Sequence, residues 1–373
     1  MNTATPIQRT QVPHRYLSIS LRWGLLLLVF LAGSLTAQPA LSFSTQVTLP
    51  QGTEALPPTD SPTVASYSAT MDLVAMARRY RTKPEPKGEW TSLTIPLKRA
   101  GNLLLVEAKA GDLEGNFILD FGAPYLVLNR TYFRNYERVY GATASDLSGQ
   151  AAAVYQTQLP RLEILDLYYE NIDADVADLG EIENRRGVQI LGLLGVELFL
   201  KLGVTVDVLR DVLYLHRLDE TGERMAKNEL DLREPAFKIP VILMDNTLVL
   251  EVIIAAKPLQ FALDSGAEVN VLDYTLSRKV LQALSVEQRV MVHGAAGGSA
   301  EVLAGTLSEY SVGGRTFIGG KTIVANLDAM KKSSAAGGLD GMLGYPFFDQ
   351  GIVRLNFIRK ELWWYTFLEP SSP

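Results

Sequence analysis

The chain has 373 residues, 47% of them hydrophobic and 20% charged, which is enough for two domains with real cores and too apolar for a disordered protein. Its net charge of −6 comes with no basic stretch interleaved with aromatics, so nucleic acid is excluded as a main partner, since binding phosphates needs clustered Lys and Arg. There is no cysteine, and the three histidines, His14, His216 and His293, share no ligand spacing. Thiolate chemistry and cysteine metal sites are therefore excluded, and a histidine metal site or Ser-His-Asp triad is disfavoured. Carboxylates remain as the source of acid–base chemistry, with no metal or organic cofactor expected.

In chain order, the first element is a targeting segment. Arg9, Arg15 and Arg22 precede the apolar run Trp23–Ala32, and small residues follow up to Ala37. The run is far shorter than the roughly 20 residues of a spanning helix, so residues 1–37 are read as an export signal cleaved near Ala37, with an uncleaved membrane anchor as the alternative. Residues 38–88 are rich in Pro, Thr, Ser and Gln and predict a flexible linker or pro-like segment, with one short helix at Met71–Tyr80.

From residue 89 the pattern changes to short strand-like runs, and it occurs twice. Ile95-Pro96-Leu97 recurs as Ile239-Pro240-Val241, and Phe117-Ile-Leu-Asp120-Phe-Gly-Ala123 as Phe261-Ala-Leu-Asp264-Ser-Gly-Ala267, both at an offset of 144 residues (264 − 120). Gly192-Leu-Leu-Gly195 recurs as Gly341-Met-Leu-Gly344, and Val204–Leu215 as Val353–Trp364, at an offset of 149 (341 − 192). Two blocks in register over so long a stretch predict two lobes of one topology, 89–218 and 230–368, joined by the charged segment 217–233. The lobes are expected to be mostly β. Strands are predicted at Leu248–Ile254 and Leu303–Val312, and short helices at Val196–Leu202, Thr275–Leu284 and Pro346–Gln350.

The repeated unit that carries chemistry is an apolar strand followed by Asp, one residue, Gly and Ala. An Asp at the tip of such a tight turn points away from either sheet face, and two turns facing each other would put two carboxylates in contact. Like charges that close cannot both ionise, so one proton is shared, giving one general base and one acid. Leu263-Asp264-Ser265-Gly266-Ala267 resembles the Asp-Thr/Ser-Gly-Ala signature of the retropepsin-like and pepsin-like aspartic proteases. The elements Leu193-Leu-Gly195 and Met342-Leu-Gly344 resemble the apolar-apolar-Gly segment that threads beneath the active-site turn in that family.

The resemblance implies a bilobal aspartic-protease-like fold of two similar β-barrel-like lobes, forming a monomer with internal pseudo-two-fold symmetry. It implies an aspartic endopeptidase acting on a peptide or protein substrate, with Asp120 and Asp264 catalytic. Ser265, Gly122, Gly266, Ala123 and Ala267 would support the dyad. His293 and Gly294 would lie in the family's mobile flap, here Val290–Ser299, for which Val139–Ala142 begins the first lobe's counterpart.

Two departures stand in the first lobe. Phe121 replaces the hydroxyl that braces one turn to the other, and Pro124 takes a place where pepsin-like members carry Ser or Thr. Its counterpart, Glu268, is of a type retropepsin-like members tolerate. A missing brace removes about 1–2 kcal/mol of ordering without removing a carboxylate. On this reading, Phe121→Thr should raise activity, provided the cavity left by the ring is tolerated. The same departures support an alternative, a catalytically inactive pseudoprotease that binds peptides or a protein partner in the cleft. Asp120-Phe121-Gly122 also spells the kinase metal-binding triplet, and Gly319-Gly-Lys-Thr322 ends like a phosphate loop. Neither has its required companions, and both are set aside.

Overall fold

The computed structural model describes residues 30–31, 81–145, 151–226, 233–293, 299–328 and 338–367. Most of the signal segment and the helix expected at Met71–Tyr80 lie outside these residues, although Phe30–Leu31 pairs with Val292 and His293. No described helix is long and apolar enough to cross a membrane.

Each lobe begins as a meander. Ser92–Ala100 turns its apolar residues Leu93, Ile95 and Leu97 inward while their neighbours face solvent, which is the period of two a half-buried strand requires. Leu103–Ala110 and Leu113–Leu119 follow in an antiparallel ladder from Leu105↔Ile118 to Ala110↔Leu113. The second lobe repeats this with Thr247–Ile254 and Lys257–Leu263, Val249 opposite Ala262.

The strand that ends at each Asp then gains a parallel neighbour, the second repeated element. Phe117 lies opposite Gly192 and Leu119 opposite Leu194, while Phe261 lies opposite Gly341 and Leu263 opposite Leu343. This register explains why Phe and Gly recur together. A Cβ at Gly192 would stand 2.8 Å from the Phe117 ring, and one at Gly341 would stand 2.5 Å from the Phe261 ring, so the ring lies where a side chain would be. Val127–Asn129 and Asn270–Asp273 close the far side of these strands, and each pairs in parallel with a long outer strand, Leu167–Ala177 or Arg315–Ala325.

The lobes meet in one end of a sheet with 13 strands among the described residues, where six neighbouring strands run in the order Phe237–Pro240, Glu361–Tyr365, Ile352–Asn356, Leu202–Asp207, Val212–Arg217, Ser92–Ala100. The middle pair of these six joins a strand to its own repeat. Thr205 lies opposite Arg354, its mate at the offset of 149, with Val204↔Leu355 and Val206↔Val353 on either side. One apolar core runs on through both lobes, including Phe121 and Phe199 from the first and Phe348 and Phe357 from the second.

The expected strands are present within Thr247–Ile254 and Ser299–Val312. The expected helices form as shorter turns: Val196–Phe199 as 3-10, and Arg278–Leu281 and Tyr345–Phe348 as α. Strands begin right after them and take the chain back into the sheets. An unexpected helix spans Gly180–Arg186. Its signals were in the sequence, with Glu181 and Glu183 in the first turn, Arg185 and Arg186 in the last, and Gly187 capping it at a φ of 62°. The packed structure also starts ahead of residue 89. Thr82 N–H donates to Asp173 Oδ2 at 3.0 Å, and Lys87 forms a β-bridge with Tyr168.

Candidate active site

Asp120 and Asp264 each follow the buried end of a strand. Their N–H groups complete the ladder to Leu194 O at 3.1 Å and to Leu343 O at 2.9 Å. Each turn then folds back on its own carboxylate. Asp120 Oδ1 accepts from Gly122 N at 2.9 Å and Ala123 N at 3.1 Å, and Asp264 Oδ1 accepts from Gly266 N at 2.8 Å and Ala267 N at 3.0 Å. This aims each Asp side chain at the other lobe's turn, close enough for each carboxyl to act on the other's titration. Both residues are fully buried, and neither Oδ2 atom has a hydrogen-bond partner among the described residues.

The glycines are what allow this approach. A Cβ at Gly122 would stand 2.3 Å from Asp264 Oδ2, and one at Gly266 would stand 2.7 Å from Asp120 Cγ. Each turn therefore presents bare backbone to the other lobe's carboxylate, which any side chain would push away.

Burial dominates the electrostatics. It pushes the Asp120 carboxyl up to about 6, against the lowering by Asp264 and by its bonds from Gly122 and Ala123. It pushes Asp264 well above the ordinary carboxylate range, and the Asp120 charge pushes the same way. Burial raises both carboxyls and the Asp120 charge raises Asp264 further, which favours a proton kept by the pair at a pH where isolated carboxylates have lost theirs.

The hydroxyl brace is present from one side. Ser265 Oγ accepts from Phe121 N–H at 3.0 Å and donates to Leu119 O at 2.8 Å, so one serine holds both ends of the Asp120 turn. Ser265→Ala would leave that N–H and C=O buried and unpaired, at about 1–3 kcal/mol for each group. We expect a loss of about 2 kcal/mol or more in urea unfolding, with reduced activity of the folded fraction. From the other side the hydroxyl is replaced by packing. The Phe121 ring is fully buried, edge-on to Phe199 with centroids 5.9 Å apart, and lies 6.3 Å from Phe348 and 6.5 Å from Phe357 of the second lobe. The expected loosening at Phe121 thus meets a cross-lobe aromatic contact in place of the hydrogen bond.

Other residues of the site were missed in the sequence. Asn102 Nδ2 donates to Glu268 O at 3.3 Å, and Asn246 Nδ2 donates to Pro124 O at 3.2 Å. These two asparagines are 144 residues apart, so the repeat itself marked them. Glu268 also accepts from Asn102 N–H at 3.0 Å and pairs with Arg186, which ties the Asp264 turn to the first lobe. Burial raises the Glu268 carboxyl, opposed by Arg186.

The hairpin expected to carry the flap is formed by Leu284–His293 and Ser299–Val312, and its first-lobe counterpart by Glu137–Ser145 and Ala151–Ile164. His293 ends its strand in register with Ser299, and Gly294 lies outside the described residues.

The family model described as Aspartyl protease matches residues 106–198 and 250–347, one stretch in each lobe and just over half of the chain. The chain belongs to the aspartyl protease family. Each matched stretch of this family member contains one Asp-x-Gly-Ala turn and the apolar-apolar-Gly element beside it. Among solved structures the chain is similar to the aspartic proteinase from Irpex lacteus, at 10% identity and a TM-score of 0.43, covering 74% of this chain and 97% of that one. It is similar as well to Basic 7S globulin from soybean, at 8% identity and a TM-score of 0.42, covering 74% and 95%. A third similar structure is edgp, at 9% identity and a TM-score of 0.45, covering 76% and 96%. No curated protein sequence matches the chain.

Proposed function

We propose that this family member is an aspartic endopeptidase whose catalytic residues are Asp120 and Asp264. The observation that supports this most strongly is the pair of buried carboxyls, each set against the other lobe's turn glycine and both raised. In the free enzyme the pair shares one proton. Ionised Asp120 takes a proton from a water molecule as the water oxygen attacks the scissile carbonyl carbon. Asp264 gives its proton to the carbonyl oxygen. The C–N bond then breaks, a proton passes to the leaving amine, and the dyad returns to its starting state. Gly122 and Gly266 permit the contact, and Ser265 holds the turns in place. Phe121, which suggested an inactive relative, leaves both carboxylates in contact.

Substrate would lie extended between the lobes beneath the hairpin Leu284–Val312, its backbone paired with strand edges. The working unit would be a monomer with internal pseudo-two-fold symmetry, supported by Thr205 pairing with its own repeat mate. With residues 1–37 read as an export signal, the activity belongs outside the cytoplasm. N-terminal sequencing of exported protein should start after Ala37, and a chain still beginning at Met1 would favour the membrane anchor. The activity is tested by digesting a mixed peptide library with purified protein from about pH 3 to 7, where a bell-shaped acidic profile is expected because two coupled carboxyls titrate as a pair.

A further inference from the structure

The two catalytic turns are not supported equally. Past the Asp264 turn, the Glu268 carboxylate is tied to Asn102 and Arg186 of the first lobe. The Asp120 turn receives Ser265 and Asn246 from the second lobe, but at the place of Glu268 it has Pro124, which offers no carboxylate. A carboxylate for this turn comes from elsewhere. Glu197, buried at 5% exposure, follows the apolar-apolar-Gly element of the first lobe. Its N–H donates to Pro124 O at 3.2 Å, and its Oε1 accepts from Leu126 N–H at 2.9 Å. In the second lobe the corresponding place holds Pro346, which has neither the N–H nor the carboxylate.

The cation facing Glu197 comes from outside the repeat. Arg81 lies ahead of the first repeated strand, and its guanidinium meets three elements at once. It stands 3.9 Å from the centroid of the Tyr125 ring, the residue next to Pro124. It is 3.4 Å from Glu197 Oε1 and 3.1 Å from Asp175 Oδ1, and it donates to Asp173 O at 2.6 Å. Leu126 O in turn accepts from Asp175 N–H at 2.9 Å. Residues 124–126 are thereby enclosed by groups that Arg81 holds together.

We propose that Arg81 is a positioning residue for catalysis: through Glu197 and Tyr125 it fixes the Asp120 turn against Asp264, supplying the carboxylate–guanidinium tie that Glu268 and Arg186 make beside the other turn and that Pro124 cannot make. Arg is the residue such a place needs, because its planar fork engages two carboxylates and a carbonyl while its face stacks on a ring. The chain before the first lobe is then part of the active-site framework. The inference rests on the aspartic-endopeptidase reading.

The test uses the full chain with Arg81→Met, Arg81→Lys and Glu197→Gln. Displacing a catalytic group by a fraction of an ångström weakens the chemical step, so Arg81→Met should lower kcat by about ten- to a hundredfold with KM little changed. Loss of folded protein alone would scale activity equally at every pH. A displaced turn also weakens the coupling of the two carboxyls, which brings their apparent pKa values together and narrows the bell by about half a unit or more. Arg81→Lys, which keeps the charge without the fork, should fall between wild type and Arg81→Met. Glu197→Gln should narrow the bell as Arg81→Met does and add little to it in the double variant. An unchanged bell in a folded Arg81→Met protein would overturn the proposal and leave Arg81 as an anchor of the leading segment. If the wild type cleaves no peptide, the endopeptidase reading fails. The positioning role is then decided by NMR titration of labelled aspartates, with Asp120 and Asp264 titrating closer together in Arg81→Met if it holds and unchanged if it does not.

Discussion

Asp264→Asn should abolish hydrolysis and, at neutral pH, make the protein more stable. The geometry favours the replacement. The amide oxygen can keep the two bonds from Gly266 and Ala267, while the amide nitrogen donates to Asp120 where a proton was shared before. The pH dependence follows from the direction of the shifts. Both folded-state carboxyls titrate above the ordinary value of about 3.9, so the folded protein binds more protons than the unfolded chain between pH 4 and 6 and beyond. Their contribution to stability is fully present below the unfolded value and is lost as the pH rises through the folded values. Asn removes one of these groups together with its like-charge neighbour interaction. The gain should therefore be present at pH 7 and shrink towards zero by about pH 4. Urea unfolding of the variant and wild type at the two pH values measures it. A variant less stable than wild type at pH 7 would mean that the carboxyls are not held in the buried contact described.

Phe121→Thr should destabilise the protein and fail to raise activity, contrary to what the motif alone suggests. A threonine hydroxyl could restore the second brace, at about 1–2 kcal/mol. It would do so at the expense of a fully buried ring packed against Phe199, Phe348 and Phe357. Truncating a buried Phe typically costs about 3–5 kcal/mol, because the surrounding side chains relax only partly into the cavity. The cavity term is the larger one, and a net loss of about 2 kcal/mol or more is expected in urea unfolding. Phe121→Leu, which refills part of the space, should recover some of it without a hydroxyl. If Phe121→Thr proves as stable as wild type and more active, the brace outweighs the packing.

These two cases mark how far the sequence could be read. The repeated Phe-x-Leu-Asp and Gly-x-Leu-Gly segments were legible because each repeats a local constraint, a ring over a glycine and a turn around a carboxylate, and the lobes and the pairing of Asp120 with Asp264 follow from them. Asn102 and Asn246 were marked by the same offset, but an asparagine in a turn has many uses, and only the folded chain shows each amide on the other lobe's carbonyl. The apolar surroundings of Phe121 were hidden because its partners stand far away in sequence, two of them in the second lobe. Arg81 lies outside the repeat altogether, in a segment whose composition reads as linker, and its contacts with Tyr125, Asp175 and Glu197 exist only once the first lobe has closed.

Hydrolysis by the dyad requires two carboxylates from two lobes to act as a single unit. The most direct measurement is the initial rate of hydrolysis of one peptide cleaved by the wild type, compared with Asp120→Asn and Asp264→Asn at the wild-type pH optimum. A general acid or base contributes about 10²–10⁴-fold, and members of a coupled pair do not substitute for one another. Both variants should fold and both should lose at least a hundredfold in rate, to similar residual levels. Hydrolysis retained near the wild-type rate by either folded variant would contradict the dyad.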